Sequence, residues 1–268
     1  MPLQKTNSYI PIEENIPLWR YISFDKYESL LRDNALFFCR ADKFSDPYEC
    51  SLPKKEVEFR ASIAKFEMDN ELRGVTGVFD SVKAQKHSDA YAKVHQDVRR
   101  ATTVNCWHVN ENESDAMWSL YLKDNEGVAI KTNLSRLSNA LNASKINIYG
   151  SKVRYINYDT AIFHHPTEFP YKYYSTLTPL FHKKIEFLHE KEFRLFNWDG
   201  DREKEGYWGT QSEHKGELIP TDVLSLVETV VFHPKADDST KSKYRELAEK
   251  YGFKFSFETS SLSNQIYY

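Results

Sequence analysis

Between Leu18 and Arg40 the chain has almost no slack. Leu18-Trp19-Arg20-Tyr21-Ile22 reads as a short strand. Ser23 is an N-cap candidate for a helix that places Phe24, Tyr27, Leu30 and Leu31 on one face. Asp33-Asn34 ends that helix, and Ala35-Leu36-Phe37-Phe38-Cys39-Arg40 is a second strand. A turn follows at Phe44-Ser45-Asp46-Pro47-Tyr48-Glu49, where Pro47 forces Asp46 into an extended conformation. Ser45 and Asp46 can hydrogen-bond the local backbone there.

Further along, short strands alternate with helices of unequal length. The spacing predicts strands at 102–108, 127–131, 146–155 (one or two, around Gly150), 190–198, 216–219, 229–232 and 253–257. Helices are expected at 115–123 with Ser114 as cap, at 134–141, 172–186 and 238–251, and a brief one near 221–224. Residues 199–206 read as a polar hairpin-like connection, and 158–170 as loop. From Lys54 to Arg100 the sequence is charged and helical with sparse apolar positions, which suggests an insertion lying over one side of the core. Irregular strand spacing without βαβ periodicity argues for an α+β fold: one domain over 1–268, a mixed short-strand sheet with flanking helices and the 54–100 insertion.

Composition narrows the function classes. Aromatics make up 15% of the 268 residues, and large rings bury much area each, so the chain can build a substantial core. The net charge of −3 gives no footprint of a dedicated nucleic-acid binder. Three scattered cysteines suit a reducing compartment, and no apolar run reaches membrane-spanning length, so a cytoplasmic protein is expected. Neither Walker, Gly-x-Gly-x-x-Gly, Gly-x-Ser-x-Gly nor His-Glu-x-x-His patterns occur, which sets aside NTPase, Rossmann, α/β-hydrolase and zincin chemistry.

The densest polar pattern is Glu190-Lys191-Glu192-Phe193-Arg194. On a strand, Glu190, Glu192 and Arg194 would share one face, with the two carboxylates about 6.6 Å apart. Such a row is either a solvated, ion-paired face or the floor of a site. Trp118 and Tyr121 lie three apart on one helix face, a spacing shared by core packing and by a ring-stacking wall. His108 at a strand end is a candidate general base, with a satisfied structural histidine as the alternative.

Four ordered motifs carry a resemblance: Trp-Arg-Tyr at 19–21, Phe-Ser-Asp-Pro-Tyr-Glu at 44–49, Met-Trp-Ser-Leu-Tyr at 117–121 before Gly127-Val128-Ala129-Ile130, and Glu-Lys-Glu-Phe-Arg at 190–194. Together they resemble a widespread bacterial family of unknown function across residues 18–262. Ser45 stands where that family usually has Asn, and the 54–100 insertion departs from it.

The strand order, with Arg20 early and a Glu-x-Glu strand late, is also similar to ADP-ribosyltransferase-like proteins. That resemblance implies an NAD-using transferase or glycohydrolase. Arg20 would grip phosphate or ribose, and Tyr21, Trp118 or Tyr121 would stack on a ring. Glu192 would stabilise the ribosyl cation and Glu190 position the acceptor, with Asp46, Glu49 and Arg194 at the site. It implies NAD as substrate, no resident metal, and an acceptor the residues do not name; a bacterial defence or toxin role would suit such an enzyme. Two other readings stay open. One is an Mg²⁺-dependent nuclease or phosphodiesterase using Asp46, Glu49, Glu190 and Glu192. The other is a non-catalytic nucleotide- or protein-binding sensor.

Overall fold

A computed structural model describes residues 3–4, 10–59, 61–62, 92–122, 126–163, 177–199 and 214–263. In chain order the elements begin with β1 (Leu3–Gln4), β2 (Pro17–Ile22), α1 (Phe24–Asp33) and β3 (Ala35–Arg40). β4 (Thr102–Val109), α2 (Asp115–Tyr121), β5 (Val128–Asn133), α3 (Leu134–Ala140), β6 (Ile148–Lys152), β7 (Arg154–Ile156) and β8 (His182–Lys184) follow. The last are β9 (Glu192–Trp198), β10 (Gly216–Pro220), α4 (Val223–Leu226), β11 (Thr229–Phe232), α5 (Asp238–Lys250) and β12 (Phe257–Thr259). Residues 54–59 and 92–101 are helical; 63–91 between them, and the expected connection at 200–206, lie outside the described residues.

The fold is α+β. One mixed sheet runs β1-β6-β9-β4-β2-β5-β11-β12, with β3 and β10 joined to it through β4, while β7 and β8 pair separately. Alternation along the strands sorts side chains onto two faces. One face carries Leu18, Ile22, Trp107, Val128, Ile130, Phe193 and Leu195. It packs against Tyr27, Leu30 and Leu31 of α1, Leu134 and Leu137 of α3, and Tyr244 and Leu247 of α5 in one large core. The opposite face is covered in separate patches. Met117 and Trp118 of α2 sit over Trp19, Tyr21, Ala129 and Val231. Cys50, Leu180 and Phe181 sit over Val104 and Phe196. Between these two patches the sheet carries polar side chains.

The opening strand–helix–strand forms as its spacing predicts. Ser23 holds the N-cap position without a side-chain cap bond, and Asn34 ends α1 in the left-handed region at φ 44°. Ser114 caps α2 by accepting from the Met117 amide. Three expectations are corrected. The described part of the helix foreseen over 172–186 is a 3-10 turn at Thr178–Phe181, strand β8, and a second 3-10 turn at Ile185–Glu190. Pro179 would sit inside that helix, where it removes a hydrogen bond, and instead it opens the first 3-10 turn. The strand foreseen from Glu190 starts at Glu192, because Lys191 is left-handed at φ 41°. The final strand starts at Phe257, not Phe253; Phe253 and Phe255 stack with centroids 5.3 Å apart and pack on the core. Among the described residues no helix is long and apolar enough to cross a membrane.

Candidate active site at a fork in the sheet

β4 pairs along its length with β9, from Thr102↔Trp198 to His108↔Glu192. Its other edge is shared. β2 takes one end, through Leu18↔Val109 and Trp19↔His108. β3 takes the other, through Cys39↔Val104 and Arg40↔Thr103. The sheet therefore forks at Asn105, Cys106 and Trp107. Side chains replace the missing ladder there. Arg20 Nη1 donates to the Cys106 carbonyl at 2.9 Å, and Asn105 Nδ2 donates to the Phe37 carbonyl at 2.9 Å. The Arg20 guanidinium also lies over the Trp107 ring, 5.8 Å from its centroid.

A cavity of about 570 Å³ opens at this fork. Arg20 and Trp107 line it from the helix-covered face; Tyr21, Cys106, His108, Glu192 and Arg194 line it from the other. Asp46, Glu49, Tyr121, Lys183 and Glu190 complete its polar wall. Strand β2 and the two glutamates Glu190 and Glu192, far apart in sequence, thus meet in one space.

The wall holds a buried charge cluster. Arg194 Nη2 bonds Glu192 Oε2 and Glu49 Oε1, both at 2.5 Å, and Arg194 Nη1 donates to the Leu180 carbonyl at 2.8 Å. Lys183 Nζ pairs with Glu190 at 2.6 Å, Glu49 at 3.4 Å and Glu192 Oε1 at 3.8 Å. Three acidic side chains thus face two cations. Burial alone would raise the Glu192 pKa, but Arg194 and Lys183 overcome it and hold the carboxyl at about 2. Glu190 moves the other way, because burial and the Glu192 charge together outweigh Lys183. Of these two carboxyls Glu190 is the more readily protonated.

Glu190 is not a strand residue, yet it reaches the cluster. The left-handed turn at Lys191 keeps its carboxyl on Lys183 and brings its carbonyl to His108 Nδ1 at 2.7 Å. A carbonyl only accepts, so Nδ1 carries the proton. His108 lines the cavity, and its Nε2, then an acceptor, is buried with no hydrogen-bond partner among the described residues. Burial lowers the His108 pKa and keeps the ring neutral.

Other expected site residues are distributed unevenly. Tyr21 lines the cavity with its hydroxyl accepting from the Ser114 amide at 2.8 Å. Tyr121 lines it and is 49% exposed. Trp118 does not line it; it is packed edge-on to Tyr21 at 4.8 Å and donates Nε1 to Glu113 at 2.8 Å. Asp46 Oδ1 accepts from the Tyr48 amide at 2.9 Å, the turn that its position before Pro47 implied. Lys183 was missed by sequence reasoning. Its stretch reads as helix, and no spacing marks an ammonium that joins three carboxyl groups.

Fold and cavity together define an α+β protein with a cleft at a sheet fork, lined by apolar side chains and by a cluster of charged ones. A family model described as "Protein of unknown function (DUF2971)" matches residues 117–195, from α2 to the middle of β9. No curated protein matches the chain. Among solved structures, Thermus sp. 2.9 DarT in complex with carba-NAD+ is similar at 7% identity with a TM-score of 0.40, over 94% of this chain and 98% of that one.

Proposed function

We propose that this protein is an NAD-consuming enzyme of the ADP-ribosyltransferase-like kind, acting in the cytoplasm. It would cleave the bond between nicotinamide and ribose and pass the ADP-ribosyl group to an acceptor or to water. The observation that carries the reading is the meeting of Arg20 and Glu192 in one cavity through the fork. Its volume falls within the range of roughly 300–1,000 Å³ that small-molecule sites occupy.

Glycosidic cleavage moves positive charge from the nicotinamide ring onto the ribose. A preorganised carboxylate in a low-dielectric site stabilises that charge. Glu192 is 5% exposed and held ionised by its cations, with Oε2 fixed by Arg194 and Oε1 3.8 Å from Lys183 Nζ. Arg20 lines the cavity and spends one N–H on the Cys106 carbonyl, and its remaining N–H groups have no hydrogen-bond partner among the described residues. They supply donors to a phosphate or a ribose. Tyr121, half-exposed at the cavity, would stack on a planar base, and Glu190 would position the acceptor. The metal-dependent reading is less well supported, because Lys183 and Arg194 already occupy the positions between Glu49, Glu190 and Glu192 where a cation would bind.

Calorimetric titration with NAD and chromatography of nicotinamide test the proposal. Wild-type protein should bind NAD and release nicotinamide; Arg20→Ala should lose most of the binding. Binding without turnover by the wild type would favour the sensor reading. Neither binding nor consumption would end the enzymatic one.

A further inference from the structure

We propose that His108 is the proton acceptor of this site, taking a hydroxyl proton from the acceptor through Nε2. The inference rests on the NAD-consuming reading above and deepens it.

Three observations meet at this ring. His108 is 4% exposed and lines the cavity, yet its Nε2 atom has no hydrogen-bond partner among the described residues. Buried acceptors are normally satisfied, so an unpaired one on a residue of the cavity wall marks a place for a ligand's donor. Second, the Glu190 carbonyl, 2.7 Å from Nδ1, fixes the tautomer so that the free nitrogen is the basic one. Third, His108 stands directly opposite Glu192 in the β4–β9 ladder. Side chains so placed lie about 5 Å apart at their Cβ atoms, close enough to serve one reacting centre.

The step balances without any other reactant. The acceptor oxygen forms a bond to the anomeric carbon while its proton passes to His108 Nε2. The bond from that carbon to nicotinamide breaks, and its electron pair neutralises the pyridinium nitrogen. The resulting imidazolium faces the Glu192 carboxylate, which offsets the charge. The titratable groups around the ring are Cys106 on its own strand, Glu192 on β9, Glu190, Lys191 and His189 at the turn, Tyr21 on β2 and Tyr121 on α2.

His108→Asn separates this role from a structural one, because its amide can keep the bond to the Glu190 carbonyl while Nε2 is lost. Nicotinamide release from NAD would be followed with water as acceptor, and again with azide, an anion that needs no base. Hydrolysis should fall by about 10²- to 10⁴-fold, the azide reaction should stay near the wild-type rate, and the acid limb of the kcat/KM profile should disappear. Equal loss of both reactions, or hydrolysis at the wild-type rate, would overturn the assignment while leaving the NAD reading intact. A wild-type protein that never releases nicotinamide would overturn both.

Discussion

Arg194 determines how Glu192 is presented, and the cost of removing it follows from burial. Arg194→Met would leave Glu49 and Glu192 facing each other with only Lys183 between them. Breaking a buried pair from one side costs about 3–5 kcal/mol, so the denaturation midpoint should fall clearly. Glu192 also sets an acid limb of stability. Its folded-state pKa is depressed to about 2 from 4.5, so its contribution is complete above 4.5 and is lost as pH falls toward 2. Glu190, shifted upward, contributes in the opposite direction. Glu192→Gln should therefore show a shallower loss of stability between pH 4.5 and 2 than wild type, measured by chemical denaturation at each pH.

The fork depends on β3 staying joined to β10 while it leaves β2. Gly216 permits that junction: a Cβ there would lie 2.0 Å from the Phe38 carbonyl oxygen. Backbone must shift to relieve such a contact, so Gly216→Ala should cost about 1–3 kcal/mol by thermal denaturation. Lys191 tests the other margin. Lys191→Gly should stay within about 1 kcal/mol of wild type, since relief of the left-handed strain offsets the added chain freedom. Lys191→Val, β-branched and poorly suited to positive φ, should unfold at lower temperature. At this level much was legible. Apolar spacing and cap residues placed β2, α1 and β3, and the Ser114 cap placed α2. Lys191 was not, because Glu-Lys-Glu alternates like any strand and nothing in a lysine announces a left-handed turn. Pro179 was the available warning against the helix at 172–186.

For the whole molecule, the α+β class followed from irregular element spacing, whereas the cavity did not. It exists because β2 and β3 divide one edge of β4, a long-range choice that no local pattern records. The same holds for the buried cluster: Glu192 and Arg194 were visible as a row, but Glu49 and Lys183 join them only through folding. Trp118 carried a helix spacing that fits core and ligand wall alike, and the structure uses it as core. If the cavity is a nucleotide site, saturation must stabilise the whole fold. NAD at 100 times its dissociation constant should add about 2.7 kcal/mol to wild type, seen as a rise in melting temperature that Arg20→Ala abolishes. The central claim is that a buried, ionised Glu192 at the fork drives nicotinamide departure, and nicotinamide release by folded Glu192→Gln protein tests it most directly. Release should fall by about 10²- to 10³-fold while NAD binding persists; release at the wild-type rate would contradict the claim.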